Sequence, residues 1–137
     1  MPFEVIEHTA DTGIRVWAPD LPSLFSEAAR GMLSQITELA RVEPVRERTI
    51  TIEGMDETDL LINTLRELLY MFNGEELLAA ALEVEMTNGS AAKERIGYEK
   101  YDPRKHKLHM DIKAVTYAGG DIRKIPGGFE ITVIFDI

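Results

Sequence analysis

The stretch DLPSLFSEAARGMLSQI, residues 20–36, carries the clearest secondary-structure signal in this chain of 137 residues. Its apolar side chains recur at the spacing i, i+3, i+4, i+7 and i+8, which places them on one face of an α-helix. Asp20 can cap this helix, because its carboxylate accepts hydrogen bonds from free backbone N–H groups. The pattern predicts a core helix, whose Met and Phe side chains pack rather than bind a cofactor. The apolar set is Leu21, Leu24, Phe25, Ala28, Ala29, Met32, Leu33 and Ile36.

A second helix is predicted over residues 57–73. Asp56, Glu57 and Asp59 crowd its first turn, where negative charge interacts favourably with the positive end of the helix dipole. A metal site is the alternative for this acidic turn, but capping explains it better. Asn73-Gly74 is the expected end of the helix.

Most other segments alternate apolar and polar side chains with a period of two, as strands do. The order of elements, β-β-α-β-α-β-β-β-β, is not the regular alternation of a parallel doubly wound fold. We therefore predict an α+β fold, with a mostly antiparallel sheet and two helices packed on one face. Without linkers or repeats, residues 1–137 are expected to form a single domain. The predicted strands are residues 3–8, 13–18, 46–54, 82–86, 92–100, 108–115 and 129–137, of which 92–100 is expected to be exposed.

The net charge of −9 argues against stable direct binding to nucleic acid, which requires clustered Lys and Arg. A local basic patch stays open as an alternative, although a solvated hairpin edge is favoured for its residues, Arg95, Lys100, Arg104, Lys105, His106 and Lys107. The absence of cysteine excludes disulfides, thiolate zinc sites and Cys nucleophiles. With neither a leader-like start nor an apolar run of roughly 18 residues, a cytoplasmic protein without a membrane segment is expected.

Candidate chemistry lies near the two ends of the chain, because the sequence contains none of the common phosphate-loop or hydrolase motifs. His8 ends the first predicted strand and Asp11 follows it, and the two form either a local turn or a general acid/base pair. Asp136 lies on the face opposite the apolar set of the last strand, beside the carboxylate expected at Ile137. These oxygens are an incomplete ligand set for a cation such as calcium. The alternative, that Asp136 only ends its strand, is favoured by spacing alone.

Five collinear segments, which together span nearly the whole chain, resemble the archease family. Each segment alone is a weak match, whereas all of them in this order are specific. They are Glu7-His8-Thr9-Ala10-Asp11, Leu24-Phe25-Ser26-Glu27-Ala28-Ala29, Asn63-Thr64-Leu65-Arg66-Glu67-Leu68-Leu69-Tyr70, Ile112-Lys113-Ala114-Val115-Thr116-Tyr117 and Val133-Ile134-Phe135-Asp136-Ile137.

The resemblance implies an α+β protein without enzymatic activity of its own. Archeases are cofactors of the GTP-dependent tRNA-splicing RNA ligase, and they promote guanylylation of the ligase histidine and multiple turnover. The resemblance further implies a divalent cation, calcium, held by Asp11, Asp136 and Ile137. It makes Lys113 a candidate functional side chain and gives His8 and Glu67 supporting roles.

The chain departs from the family pattern at Ala118, where many members carry His, and at Asn63, where an acidic residue is common. The expected mechanism is that an acidic tip docks at the ligase active site and positions a cation at the GTP phosphates. Two other functions remain open. One is a stand-alone metal-dependent phosphoesterase using His8, Asp11 and Asp136, and the other is a general chaperone-like protein-binding module.

Overall fold

A computed structural model describes residues 2–7 and 11–137 of the chain. Over these residues it forms eight strands, two α-helices and one 3₁₀-helix, and neither α-helix is long and apolar enough to cross a membrane. The elements are β1 Phe3–Glu7, β2 Asp11–Ala18, α1 Leu21–Ile36, the 3₁₀-helix Leu39–Arg41, β3 Arg46–Glu53, α2 Glu57–Glu75, β4 Leu77–Asn88, β5 Ala91–Lys100, β6 Ala114–Thr116, β7 Arg123–Ile125 and β8 Gly128–Asp136.

The strands form two antiparallel sheets that share one hydrophobic core. The first sheet has the order β1-β2-β8-β6, with β7 also paired to β8, and the second has the order β3-β5-β4. Each helix contacts strands of both sheets. The predicted α+β class with antiparallel strands is therefore confirmed, although the strands divide into two sheets and the helices cover both.

The first helix agrees with its prediction at both ends. The Asp20 carboxylate accepts a hydrogen bond from the Ser23 N–H at 2.8 Å, and Pro22 occupies the first turn, where no intrahelical partner for an N–H is lost. The predicted apolar face is buried from Leu24 to Ile36. This helix is the element against which the first sheet and β4 pack.

The second helix is capped as predicted but ends later than predicted. The Asp56 carboxylate accepts a hydrogen bond from the Asp59 N–H at 2.8 Å, which assigns the acidic turn to capping. The expected stop at Asn73-Gly74 is wrong, because the helix continues to Glu75 and Glu76 takes the left-handed conformation with φ 57°. A Cβ at residue 74 would come within 2.7 Å of the Tyr70 ring, so this glycine allows close packing instead of ending the helix.

The expectation that residues 92–100 form an exposed strand is wrong. They belong to β5, the central strand of the second sheet, and Ala92, Glu94 and Ile96 are buried. Charged residues alternate with these positions, but Glu94 itself faces inward, where the hydroxyl of Thr64 on α2 lies 2.6 Å away. The prediction fails because the strand contains a carboxyl group, which normally indicates an exposed position but is buried here.

The strand predicted over residues 108–115 is mostly irregular, and only Ala114–Thr116 forms β6. Backbone groups of residues 107 and 109 bond to the end of α1 and the residue after it instead of a neighbouring strand. Thr37 donates to the Lys107 carbonyl at 2.7 Å, and the His109 N–H donates to the Ile36 carbonyl at 2.8 Å. Because these partners satisfy the backbone, no strand is needed there.

Candidate cation site at the ends of three strands

The candidate site lies where β2 begins and β8 ends. Asp11 is directly opposite Asp136 in the β2–β8 pairing, and Ala114 of β6 is opposite Asp136 on its other side. Directly opposed residues of antiparallel strands point to the same face of a sheet. The structure therefore brings together the two aspartates that the sequence singled out.

Both aspartates face away from the core. Their neighbours Thr12 and Phe135 are 1 % and 0 % exposed, whereas Asp136 is exposed and Asp11 is half-buried. This side of β8 follows from its alternation, since Ile131, Val133 and Phe135 fill the core. We call the group formed by Asp11, Asp136, Ile137 and Lys113 the tip.

The electrostatics of the tip suit a cation. Two carboxylates directly opposite each other on paired strands repel. In addition, Oδ1 of Asp11 is buried and accepts no hydrogen bond from any described residue. A buried polar atom normally has a partner, and carboxylate oxygens are the ligands that calcium and magnesium prefer. The donor atoms therefore fit a divalent cation.

Among the described residues, no further acidic or histidine side chain joins the two aspartates as a third ligand. Within residues 2–7 and 11–137, no three His, Cys, Asp or Glu side chains form a group that could hold a metal. Ile137 follows Asp136 directly and is 37 % exposed, so the residue lies at the tip. Its role as a ligand remains a prediction.

Lys113 also belongs to the tip by position. Its backbone N–H donates to the carbonyl of Asp136 at 2.7 Å, and its side chain is exposed. The ammonium group can therefore meet an anionic ligand or partner group at the same edge of the sheet. This position agrees with a functional role, which remains a prediction.

Of the other two residues singled out for supporting roles, the structure describes only Glu67. His8 lies outside the described residues. Glu67 lies on α2, close enough to the buried Glu94 for its negative charge to raise the pKa of that carboxyl group. Burial is the main cause of that rise, to about 7, while the hydrogen bond with Thr64 opposes it. Glu67 itself is half-buried on α2, and its supporting role stays untested.

Three of the six basic residues considered as a patch contact acidic side chains. Arg95 pairs with Glu83, and Lys105 pairs with Glu99 at 2.9 Å. His106 is 2 % exposed, and its Nε2 lies 2.9 Å from the same Glu99 carboxylate. Burial opposes ionisation of Glu99, but its hydrogen bonds lower the pKa to about 2. The other three, Lys100, Arg104 and Lys107, are exposed and have no ion pair among the described residues, so the region is only partly neutralised.

Beside the tip lies a groove of about 350 Å³ that the sequence analysis did not predict. The side chains of Arg66, Tyr70 and Asn73 line it from α2, and Lys113, Ala114 and Val115 line it from the segment that enters β6. The spacing of Arg66 and Tyr70, i and i+4, does place them on one helix face. No sequence signal joins that face to residues 113–115, which fold against it from far along the chain.

The fold and the tip together define a class of protein. It is an acidic α+β domain with a pair of opposed carboxylates at the ends of two central strands of an antiparallel sheet. The model of the archease protein family matches residues 3–137. The chain belongs to the archease family, which confirms the resemblance seen in its sequence.

Individual relatives agree with this membership. The chain is 35 % identical over 140 residues to Protein archease of Methanopyrus kandleri, with 100 % of both chains covered. It is 36 % identical over 129 residues to Protein archease of Pyrococcus abyssi, covering 92 % of this chain and 91 % of the relative.

Solved structures share the fold. The solution structure of Protein 1598 of Methanobacterium thermoautotrophicum superposes with a TM-score of 0.83 at 28 % identity, covering 99 % of each chain. The crystal structure of an archease from Thermotoga maritima, described as a possible chaperone, superposes with a TM-score of 0.66 and covers 96 % of this chain and 94 % of that one. At 17 % identity, this second likeness shows the fold alone.

Proposed function

We propose that this protein is a non-enzymatic cofactor that activates the GTP-dependent tRNA-splicing RNA ligase through its tip. Membership of the archease family supports the choice of partner. The observation that carries the proposal is the pairing of Asp11 with Asp136, together with the buried Asp11 oxygen that has no hydrogen-bond partner among the described residues.

Each part of the tip has a separate task in this proposal. Asp11, Asp136 and Ile137 would hold a divalent cation, with calcium as the expected ion. When bound, the cation supplies positive charge that offsets the charge of phosphate groups. The pairing of β2 and β6 with β8 keeps the two carboxylates fixed, and Lys113 offers an ammonium group to an anion at the same edge.

The overall charge supports docking on a ligase that binds RNA. An RNA-binding enzyme needs a basic surface, and a chain with net charge −9 is electrostatically complementary to such a surface. The acidic tip would then approach the ligase active site.

The proposal is tested by an RNA ligation assay with the cognate ligase, in the presence and absence of this protein. Asp11→Asn should abolish the increase in ligase guanylylation and turnover while the circular dichroism spectrum stays unchanged. Asp121→Asn is the matched control, because it makes the same change at an exposed aspartate away from the tip. Asp121 precedes β7, which pairs with β8 near residue 130 and not near residue 136. Stimulation by the Asp11 variant at the wild-type level would show that the tip is not the active feature.

The wild type and the Asp11 variant also distinguish the cofactor function from the two other functions. A metal-dependent phosphoesterase would hydrolyse a phosphoester without the ligase, and a general chaperone would suppress aggregation of unrelated proteins regardless of Asp11. Phosphoester turnover by the purified protein, or promiscuous suppression of aggregation without ligase stimulation, would contradict the cofactor function.

A further inference from the structure

We infer that the groove between α2 and the segment entering β6 binds a single nucleotide. The inference goes beyond the proposed function, because nucleotide binding would be a property of this chain without the ligase. It depends on the charge, the aromatic surface and the size of the groove.

The groove has two cationic side chains in an acidic protein. In the described part of the chain, neither Arg66 nor Lys113 forms an ion pair with a carboxylate, whereas Arg15 and Lys105 each pair with two. The pKa of Asp59 is lowered mainly by its hydrogen bond from Tyr117, and the charge of Arg66 adds to this, so part of the Arg66 charge is already balanced. With Lys113 on the same groove, an anionic ligand is still favoured. Phosphate is the anion that a guanidinium and an ammonium group bind best together.

The guanidinium group of Arg66 is fixed in position before any ligand binds. Its Nε and Nη2 donate to the Val115 carbonyl at 3.2 and 3.0 Å, and it lies over the ring of Tyr117 at 4.8 Å. An arginine has more N–H donors than these contacts use, so donors remain for a phosphate oxygen. Little side-chain entropy would be lost on binding.

The aromatic surface is provided by Tyr70. Its ring is part of a side chain that is 59 % exposed, and it packs closely over Gly74, where a Cβ would come within 2.7 Å. This contact holds the ring in place and leaves part of it open to solvent. A nucleobase stacks on such a ring whatever its sequence identity.

A polar group lies about one turn beyond Tyr70 along α2, on the side away from Arg66. The Nδ2 of Asn73 donates to the Ile112 carbonyl at 3.0 Å, which orients the amide and leaves Oδ1 as an acceptor for an N–H of a base. The base would therefore lie against Tyr70 and Asn73, and the phosphates against Arg66 and Lys113.

The size of the groove favours a mononucleotide over a nucleic acid strand. Its volume of about 350 Å³ lies within the usual range for small-ligand sites. A strand would need basic surface that continues beyond the groove, whereas the edge beside Lys113 carries Asp11 and Asp136. The phosphates would thus end next to the tip.

The first test is an equilibrium titration of the purified full chain with fluorescent GTP and fluorescent ATP, with guanosine and inorganic triphosphate as competitors. Saturable nucleotide binding is expected, and each competitor should bind at least about tenfold more weakly, because each offers only part of the contacts. Lys113→Met should weaken nucleotide binding by about tenfold. The matched control is Lys124→Met, an exposed lysine on β7 opposite Phe129, far along β8 from residue 136.

A second pair of variants tests the stacking surface. Tyr70→Ala should weaken binding by about tenfold, whereas Tyr70→Phe should retain it, because only the ring is required. Circular dichroism and thermal unfolding identify any variant that fails to fold. Wild-type affinity in both Lys113→Met and Tyr70→Ala would overturn the inference.

Other ligands give distinct outcomes. Tighter binding of a single-stranded RNA or an acidic peptide than of the mononucleotide, or no saturable nucleotide binding at millimolar concentration, would also overturn it. A protein that activates the ligase but binds no nucleotide contradicts this inference alone. A protein that binds nucleotide but does not activate the ligase contradicts the proposed function alone.

Discussion

The two opposed aspartates at the tip should destabilise the protein when no cation is bound. Asp136→Asn removes one negative charge, so the cation-free protein should become more stable by roughly 0.2–1 kcal/mol. The same change should remove most of the stabilisation by calcium, because a ligand that binds the folded state raises its stability. Thermal unfolding in EDTA and in calcium chloride measures both effects.

The opposite signs of these two effects make the prediction specific. A variant that only damaged the fold would be less stable under both conditions. Asp121→Asn again serves as the control, and it should leave the calcium-induced shift unchanged. An equal calcium-induced shift in the Asp136 variant would contradict a cation site at the tip.

Ionisation of the buried Glu94 carboxyl group should also lower the stability of the protein. The Thr64 hydroxyl has one proton but lies 2.9 Å from the Leu60 carbonyl and 2.6 Å from Oε2 of Glu94. Both contacts are satisfied when Glu94 is protonated, since it then donates to Thr64, which donates to Leu60. Burial, which raises the pKa of Glu94 to about 7, favours this same protonated form.

The raised pKa of Glu94 predicts a defined dependence of stability on pH. Between its ordinary pKa of 4.5 and about 7, the folded state binds this proton more tightly than the unfolded state does. Stability should therefore fall as the pH rises through that window, by at most about 3 kcal/mol. Glu94→Gln should remove this decrease and be more stable than the wild type at pH 8. Denaturant unfolding at pH 5 and pH 8 measures it, and an unchanged pH profile in the variant would contradict the prediction.

At the scale of elements, the end of α2 is an avoidable source of instability. Glu76 takes the left-handed conformation, which is unfavourable for a residue with a Cβ, and its negative charge lies at the negative end of the helix dipole. Glu76→Gly should raise the free energy of unfolding by about 1 kcal/mol. Glu76→Ala removes the charge but keeps the Cβ, so it should gain less. Equal stabilisation by both variants would assign the whole effect to charge.

The sequence predicts elements whose apolar residues recur with a clear period. It does not predict the position or length of an element when these depend on the segments that pack beside it. The spacing of α1 and the alternation of β8 correctly place their buried faces. The position of β5 at the centre of a sheet was missed because its inward-facing Glu94 is polar. The short β6 was overextended because helix residues, such as Ile36 accepting from His109, satisfy the backbone before it.

The candidate site follows the same division. Alternation predicts that Asp136 faces away from the core, but its pairing with Asp11 depends on which strands become neighbours. The groove is less predictable still, because it forms only when residues 113–115 pack beside Arg66 and Tyr70. Only the family resemblance predicted that the two ends of the chain lie together, because residue spacing alone favoured the alternative.

At the scale of the whole molecule, the proposed docking of this acidic chain on a basic ligase should be sensitive to salt. Raising the salt concentration from about 0.05 M to about 0.3 M shortens the Debye length and screens surface charges. The concentration of this protein needed for half-maximal ligase activation should therefore increase several-fold. Guanylylation by the ligase alone at each salt concentration is the control. Activation that is independent of salt would indicate docking through uncharged surface.

The position of Asp136 in the first sheet has a consequence for binding. The last residues of a chain are usually poorly ordered, so binding a ligand there has to restrict the conformations of those residues. Here β2 and β6 flank residue 136 on both sides, and the Lys113 N–H holds its carbonyl at 2.7 Å. The backbone at residue 136 therefore loses its conformational entropy when the protein folds, and little of this cost is left for the binding step. The ligase would therefore meet a rigid surface whose geometry is already set before the encounter.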